Sequence, residues 1–440
     1  MPSTSEHAAV SLSEAAERLR RPEPSRPCLL AEPAGLEEIN LDYAATTPPL
    51  AAAAEAVTAF LPWYGSIHRG GGKRSKVASE AYESARRAVG RFVSCPVGSS
   101  VVFVRNTTEA ANLLAAALPD DSAILCSPFE HHANLLPWRS RAVTYLPFTR
   151  SAGELLDRTE ESLTSAARRG KSIRLLAITG ASNVTGEVPP IATLARLAHE
   201  NGARIFVDAA QLAPHRRIHL GELDVDFLAF SGHKLYAPFG AGVLVVRDDA
   251  LADGIPLLKG GGAIRYVTLE GVAWTDVPQR YEAGTPNVVG AVALAAACDA
   301  LRAYGMDRIA ARERHIAERL WAGLETIAGV RMLRLWPNVP DRVGVAAFTV
   351  AGYQPHDLAE ILVSDWGIAV RSGAFCAHPL VANLLGLGDD VTRSLLERIT
   401  TGETLDVPGA VRVSIGLQTS EADIDTLLEA LRSLPPARSL

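Results

Sequence analysis

Residues 205–246 read IFVDAAQLAPHRRIHLGELDVDFLAFSGHKLYAPFGAGVLVV. Three short apolar runs, IFVD, FLAF and GVLVV, are separated by polar, glycine-bearing turns, the pattern of strands buried on both faces of a sheet. Upstream, VVFV at 101–104 leads into a helical pattern through ANLLAAAL, then come AILC at 123–126, LLAI at 175–178 and a helix through IATLARLAHENG. This alternation predicts an α/β fold with a mainly parallel sheet between helices. Downstream, the glycine-rich segments KGGGAIR and EAGTPN break the pattern, and a long helical region runs from about 288 to 328. Strands at VAAFTV and VRVSI with helices at HDLAEILVSDW and EADIDTLLEALRSL then predict a smaller α+β domain. The expected organisation is an N-terminal extension at 1–37, holding a short helical pattern SLSEAAERLRR, a large domain at 38–290 and a small C-terminal domain at 291–440.

A chain of 440 residues with 48% hydrophobic and 21% charged residues is an ordinary globular protein of enzyme size. A net charge of -6, from 43 basic and 49 acidic residues, leaves no footprint for nucleic acid or an anionic membrane, so a small ligand is expected. The five cysteines lie far apart and form no C-x-x-C pair, which argues against a disulfide framework or zinc site and for a reducing compartment. The start MPSTSEHAAV lacks a basic segment followed by an apolar run, and no apolar stretch approaches the ~18 residues of a membrane span, so the expected location is cytoplasmic. Only five lysines are present, Lys73, Lys76, Lys171, Lys234 and Lys259, so a catalytic amine has few candidates.

Asp208 ends one apolar run and Lys234 follows the next in S-G-H-K. In a parallel sheet both strand ends open onto one crevice, where α/β proteins bind ligands. A carboxylate and an amine facing one ligand suit pyridoxal phosphate: the amine forms a Schiff base with its carbonyl carbon, and the acid keeps the pyridine nitrogen protonated. Taken alone, the two residues are more often a surface lysine and a helix-capping aspartate. Thr107 and Thr108 stand after a strand at a helix start, where free N–H groups favour a phosphate, although Glu109 there also suits plain capping. His131 follows AILC and could stack on an aromatic ring or be a polar loop residue. Asn183 in SNVTG supplies an amide at another strand end or serves a turn.

The strings LDYAATTP, NTTEAANLL, FEHHANLLPW, SNVTGEVPPI, VDAAQ, FSGHKLYAPFGAGVLVV, GGGAIRYVTLEGVAW, RYEAGTPN and VRSGAFCAHPL occur in this order. Together they resemble the class V aminotransferase family of fold-type I pyridoxal phosphate enzymes, in its cysteine desulfurase and selenocysteine lyase branch, over residues 38 to 437. The resemblance implies that Lys234 is the Schiff-base lysine, Asp208 the partner of the pyridine nitrogen, Gln211 a contact of the ring's phenolic oxygen and His131 the stacking ring. It assigns Thr107, Thr108, Ser231 and His233 to the phosphate site, Asn183 to the neighbourhood of substrate and ring, and Thr285 to the phosphate of a neighbouring subunit. A homodimer is therefore expected.

The resemblance makes Cys376 the nucleophile that takes sulfur from the substrate cysteine and releases alanine, with a sulfur-acceptor protein as a further partner. Such a nucleophile is a thiolate near positive charge, for which Arg371 and His378 are the neighbours in sequence; a buried structural cysteine is the alternative. Arg412 matches the substrate-carboxylate arginine, a role suited to its planar fork, with Arg371 as a second candidate. The chain departs from relatives that carry histidines where Ala374, Phe375 and, nearby, Gly72 stand. An insertion, LGLGDDVTRSLLERITTGETLDVP, also separates Cys376 from Arg412. The expected function is that of a pyridoxal phosphate-dependent cysteine desulfurase. The alternatives are a C–S lyase, epimerase or aminotransferase in which Cys376 takes no part, and a cofactor-binding scaffold without turnover.

Overall fold

The computed structural model describes residues 28–30, 38–339 and 341–435; the helical pattern expected at 11–21 lies outside them. Seven strands form the central sheet: β1 (Ser99–Val104), β2 (Ala123–Cys126), β3 (Ala142–Tyr145), β4 (Ile173–Thr179), β5 (Arg204–Asp208), β6 (Phe227–Ser231) and β7 (Gly242–Arg247). Their spatial order is β3-β2-β4-β5-β6-β7-β1, parallel except where β7 runs antiparallel to both neighbours. Alternation along these strands sends Val207, Leu228 and Val243 to one face and Phe206, Phe227 and Leu244 to the other, all fully buried. Helices α1 (Ala51–Phe60), α2 (Lys73–Phe92), α3 (Thr107–Ala117), α4 (Ala152–Arg168) and α5 (Ile191–Glu200) connect and cover the strands, with α3 on one face and α4 and α5 on the other. Strands buried on both faces explain why their sequence reads as continuous apolar runs.

Next come α6 (Val288–Tyr304) and α7 (Met306–Glu325), preceded by the hairpin of β8 (Ile264–Val267) and β9 (Val272–Trp274). The expected boundary at 290/291 falls inside α6. Val288 and Val292 pack on α1 and α2, and Leu294, Ala297 and Leu301 belong to the core of the large sheet. The chain then turns by 76° at Gly305, whose φ of 103° suits glycine, and Ile316, Leu320 and Leu324 of α7 enter a different core. Leu41 joins that second core too, and Ile39–Asn40 pair with Ile368–Ala369, so the chain returns to its own beginning to complete the small domain. Periodicity marks an apolar helix face but not the sheet that covers it.

The small domain holds an antiparallel sheet of β10 (Val330–Leu333), β11 (Val345–Val350), β12 (Arg371–Gly373) and β13 (Ala410–Ser414), in the order β10-β11-β13-β12. Helices α8 (Pro355–Trp366) and α11 (Glu421–Ser433) pack on it through Leu358, Leu362, Leu427 and Leu431. Between β12 and β13 lie α9 (His378–Leu385) and α10 (Asp389–Thr400); the expected insertion forms α10, none of whose residues is buried.

Glu313 of α7 ties the two cores together. Its buried carboxylate accepts hydrogen bonds from His215 Nδ1, from Arg216 Nη1 at 3.1 Å and from Gly344 N at 2.8 Å. Burial pushes its pKa up, but His215 and Arg216 outweigh burial and hold it below the ordinary range. A depressed folded value means that this contribution is present above the unfolded pKa and is lost as pH falls through the folded one. Glu313→Ala removes the acceptor shared by His215, Arg216 and Gly344 N and should cost about 3–5 kcal/mol in urea unfolding at pH 7. The gap between variant and parent should narrow as the pH is lowered below 4; an unchanged gap would mean that the carboxylate is not the tie.

Candidate active site

The carboxyl ends of β2, β4, β5 and β6 and the start of α3 converge on one cleft of about 310 Å³. Two glycines allow that convergence. A Cβ on Gly232 would stand 2.5 Å from Ala241 O, so glycine is needed where β6 turns sharply and carries Lys234 back over the strand ends. A Cβ on Gly242 would stand 2.8 Å from Asn106 Cα, so glycine lets the N-terminus of α3 close onto the sheet. Of the residues expected in the site, Thr107, Thr108, His131, Asn183, Asp208, Gln211, Ser231, His233, Lys234, Arg371, Cys376 and Arg412 all line this cleft.

At its floor Asp208 is buried, with Oδ1 accepting from Ala210 N at 2.9 Å. Burial raises its pKa, opposed by that N–H and by Lys234. The partly buried Lys234 ammonium is pulled down to about 8 by burial, with Asp208 opposing and Arg412 reinforcing the shift. The amine therefore gives up its proton near neutrality, as a nucleophile or base must. His131 Nδ1 accepts from Ala133 N at 3.0 Å, and burial, with Lys234, lowers its pKa to about 3, leaving a neutral ring against the cleft. At the start of α3, Asn106 caps Glu109 N and Ser231 Oγ accepts from Thr107 N at 2.9 Å. Gln211 Nε2 donates to Ala44 O at 2.6 Å.

These residues fit pyridoxal phosphate. A buried carboxylate and a readily deprotonated amine face one cleft, a neutral ring offers a stacking face, and a helix N-terminus with two hydroxyls suits a phosphate. Thr285 is not brought into this cleft. It is exposed and lines a separate cavity of about 710 Å³ with Ser66, His68, Arg69 and Arg265.

The small domain forms the opposite wall. Arg412 is 97% enclosed, at 3% exposure; Nη1 donates to Asn183 O at 3.0 Å and Nη2 to Asp42 Oδ1 at 3.0 Å, while the buried Nε has no partner among the described residues. An unanswered buried N–H beside a cleft is a place for a ligand carboxylate. Asp42 also accepts from Arg371 Nη2 at 2.6 Å, so one carboxylate holds both arginines. Cys376 is exposed at the rim and not a buried structural cysteine. Lys234, Arg371 and Arg412 line the cleft with its thiol. Of the two neighbours expected to supply positive charge, Arg371 lines the cleft and pairs with Asp42, and the His378 ring meets His132.

Two functional side chains escape a sequence reading. Glu130 is fully buried, and burial lifts its carboxyl to about 8. It accepts from Ser127 Oγ, from Asn134 Nδ2 at 2.6 Å and from Thr179 N at 2.8 Å, fastening the His131 loop to the end of β4. Its place directly before His131 was the available signal. Asp42 had none beyond lying in LDYAATTP, because its partners are more than 300 residues away in the chain.

Residues 39–427 match the family described as aminotransferase class-V. A probable cysteine desulfurase of Halobacterium salinarum is 36% identical over 419 residues, covering 92% of this chain and 94% of the relative. A cysteine desulfurase of Escherichia coli (strain K12 / DH10B) is 33% identical over 415 residues, covering 93% and 96%. Among solved structures, the cysteine desulfurase CsdA (S-sulfonic acid) from Escherichia coli aligns with a TM-score of 0.74 at 31% identity, covering 90% of this chain and 94% of that one. The apo cysteine desulfurase from Thermococcus onnurineus aligns at 0.78 and 31%, covering 92% and 98%.

Borohydride treatment of the cofactor-loaded protein should attach pyridoxal phosphate to the peptide containing Lys234, and Lys234→Ala should abolish the attachment while the fold survives. Mass spectrometry that locates the label on Lys73 or Lys259 would refute the assignment.

Proposed function

The chain belongs to the class-V aminotransferase family, and from that premise we propose that it is a pyridoxal phosphate-dependent cysteine desulfurase, taking the sulfur of L-cysteine onto Cys376 and releasing alanine. One observation carries the reading: an exposed thiol stands at the rim of the cleft whose floor is Lys234 and whose wall offers the unpartnered Nε of Arg412. The opposing arrangement of carboxylate anchor, amine and thiol is what sulfur abstraction from an amino acid needs.

Arg412 receives the substrate carboxylate through Nε, its guanidinium already oriented by Asn183 and Asp42. When bound, pyridoxal phosphate supplies an electrophilic carbon for the substrate amine and a ring that withdraws electrons from Cα as its proton leaves. Asp208 balances the positive charge at the floor, and His131 presents a neutral face that does not compete for it. Lys234 Nζ takes the proton from Cα, a task suited to an amine whose pKa burial lowers to about 8. The Cys376 thiolate then attacks the substrate sulfur: an S–S bond forms, the Cβ–S bond breaks, Cβ takes up the electron pair and a proton, and Lys234 returns a proton to Cα so that alanine can leave. A persulfide remains on an exposed residue, within reach of an acceptor protein's thiol.

The active unit we propose is a homodimer. Exposed Tyr266, Val267 and Val272 lie on the β8–β9 hairpin, whose Arg265 borders the cavity of Thr285, and apolar side chains so exposed suit burial by a second copy. The five cysteines are free, which suits a cytoplasmic setting, and no single helix among the described residues is long and apolar enough to cross a membrane.

Cys376→Ala should abolish alanine formation from cysteine with the cofactor spectrum intact, and parent enzyme given cysteine should gain one sulfur, removable by thiols, on the Cys376 peptide. Turnover at the parental rate, or pyruvate and ammonia as products, would replace this reading with β-elimination. Sedimentation should give twice the chain mass, and Thr285→Ala should weaken cofactor retention; a fully active, cofactor-saturated monomer would remove the case for a shared site.

A further inference from the structure

The loop that carries Cys376 is not held by its own conformational preference. Phe375 and Cys376 have φ values of 53° and 54°, two successive side-chain-bearing residues in the left-handed region. That conformation is costly and persists only where the surroundings impose it. Asn183 Nδ2 donates to Phe375 O at 2.8 Å, the Arg412 guanidinium lies 5.1 Å from the Phe375 ring centroid, and His132 N donates to Cys376 O at 2.7 Å.

A further tie is made by the His132 ring. Its Nε2 lies 3.2 Å from His378 N and 3.1 Å from His378 Nδ1, with the two rings near parallel at 16°. A backbone N–H can only donate, so Nε2 of His132 is the acceptor and its ring proton resides on Nδ1. His378 Nδ1 is then a second donor to the same lone pair. A proton on His132 Nε2 would turn the acceptor into a donor facing two donors and break both bonds. Of the ties on this loop it is the one a proton can switch near neutrality.

We propose that His132 is a positioning residue for sulfur transfer: its unprotonated Nε2, gripped by the two N–H groups of His378, closes the loop that holds Cys376 over the cleft, and protonation there releases it. The role of Cys376 rests on the desulfurase reading; the clasp does not. The charged and titratable groups around His132 are His378, Arg139 on the following turn, His131 with its ring centroid 6.3 Å away, and Cys376 across the backbone bond. Burial, then His378 and Arg139, lowers the pKa of His132, keeping the acceptor form at neutral pH. The clasp is thus closed above the ordinary histidine range and opens as pH falls below it. His378 stands where α9 begins, two residues beyond Cys376, so the grip is applied close to the nucleophile.

The test compares holoenzyme carrying His132→Gln, whose amide oxygen accepts without titrating, with His132→Phe, which keeps the bulk and loses the acceptor. At pH 7.5 the His378 amide should exchange with deuterium about fivefold faster in the Phe variant than in parent or Gln variant, the factor typical of one net hydrogen bond. Single-turnover alanine formation should fall about tenfold in the Phe variant, with KM for cysteine within about twofold, and be retained in the Gln variant, since Arg412 is untouched. Dividing the parent rate by that of the Gln variant cancels every shared titration; the ratio should be flat at neutral pH and fall as the pH drops below the ordinary histidine range. Should the Phe variant fail to fold, His132→Leu removes the acceptor in a smaller side chain and should show the same directions. Unchanged His378 exchange without the acceptor, equal impairment of the Gln and Phe variants, or a pH-independent ratio would overturn the proposal. The exchange readout needs no turnover, so it judges the clasp even if Cys376→Ala still forms alanine and the desulfurase reading falls.

Discussion

A buried Asp208 and a partly buried Lys234 amine face one cleft at the ends of two adjacent parallel strands, and the rest of the molecule serves that constraint. A buried carboxylate or ammonium is costly, so each depends on nearby opposite charge. Neither can be fully neutralised by its neighbour, because the strand ends diverge into a cleft. Burial therefore pushes the acid up and the amine down, and the pair is left electrostatically incomplete. That incompleteness is what makes the floor receptive to a cofactor with a basic nitrogen and an electrophilic carbon. The seven-stranded sheet, dry on both faces, supplies the low-dielectric setting, and Gly232 and Gly242 let the backbone come close enough to form it.

The opposite wall obeys a similar rule with the sign reversed. Arg412 is as buried as a charged side chain can be, and it is tolerated there because Asp42, Asn183 and the face of Phe375 share the load. Its Nε is left without a partner among the described residues, and Arg412 lines the cleft. Asp42 holds Arg371 as well. The thiol shares the cleft with Lys234, Arg371 and Arg412. Positive charge at the floor and in the wall thus serves both the substrate carboxylate and the nucleophile, with no separate device for each.

The nucleophile loop joins these two walls. Its left-handed residues borrow stability from Asn183 on the large domain and Arg412 on the small one, and from the His132–His378 contact between the β2 side of the sheet and the start of α9. Ala374 and Phe375 precede the cysteine, and the histidines near its loop come from positions 132 and 378. Phe375 has an aromatic task in place of a titrating one, as the plate against which the carboxylate-binding arginine rests.

Much of this was legible in the sequence because it is local. Apolar runs of strand length, glycine-bearing turns after them, and S-G-H-K and N-T-T at strand ends are written within a few residues of one another, and they determined the sheet, the crevice and the residues that line it. The dependence of a strand on burial of both faces makes such runs hard to mistake once they alternate with helices. Only the tertiary structure decided which sheet α6 would cover, that Asp42 would hold both arginines, that Glu130 would lock the His131 loop, and that His378 would turn from Cys376 to His132. These are contacts across up to 370 positions of chain, fixed by how two domains meet and by which buried charge finds which partner. No local pattern encodes them, because their energy comes from desolvation and charge balance, which exist only once the cleft is closed.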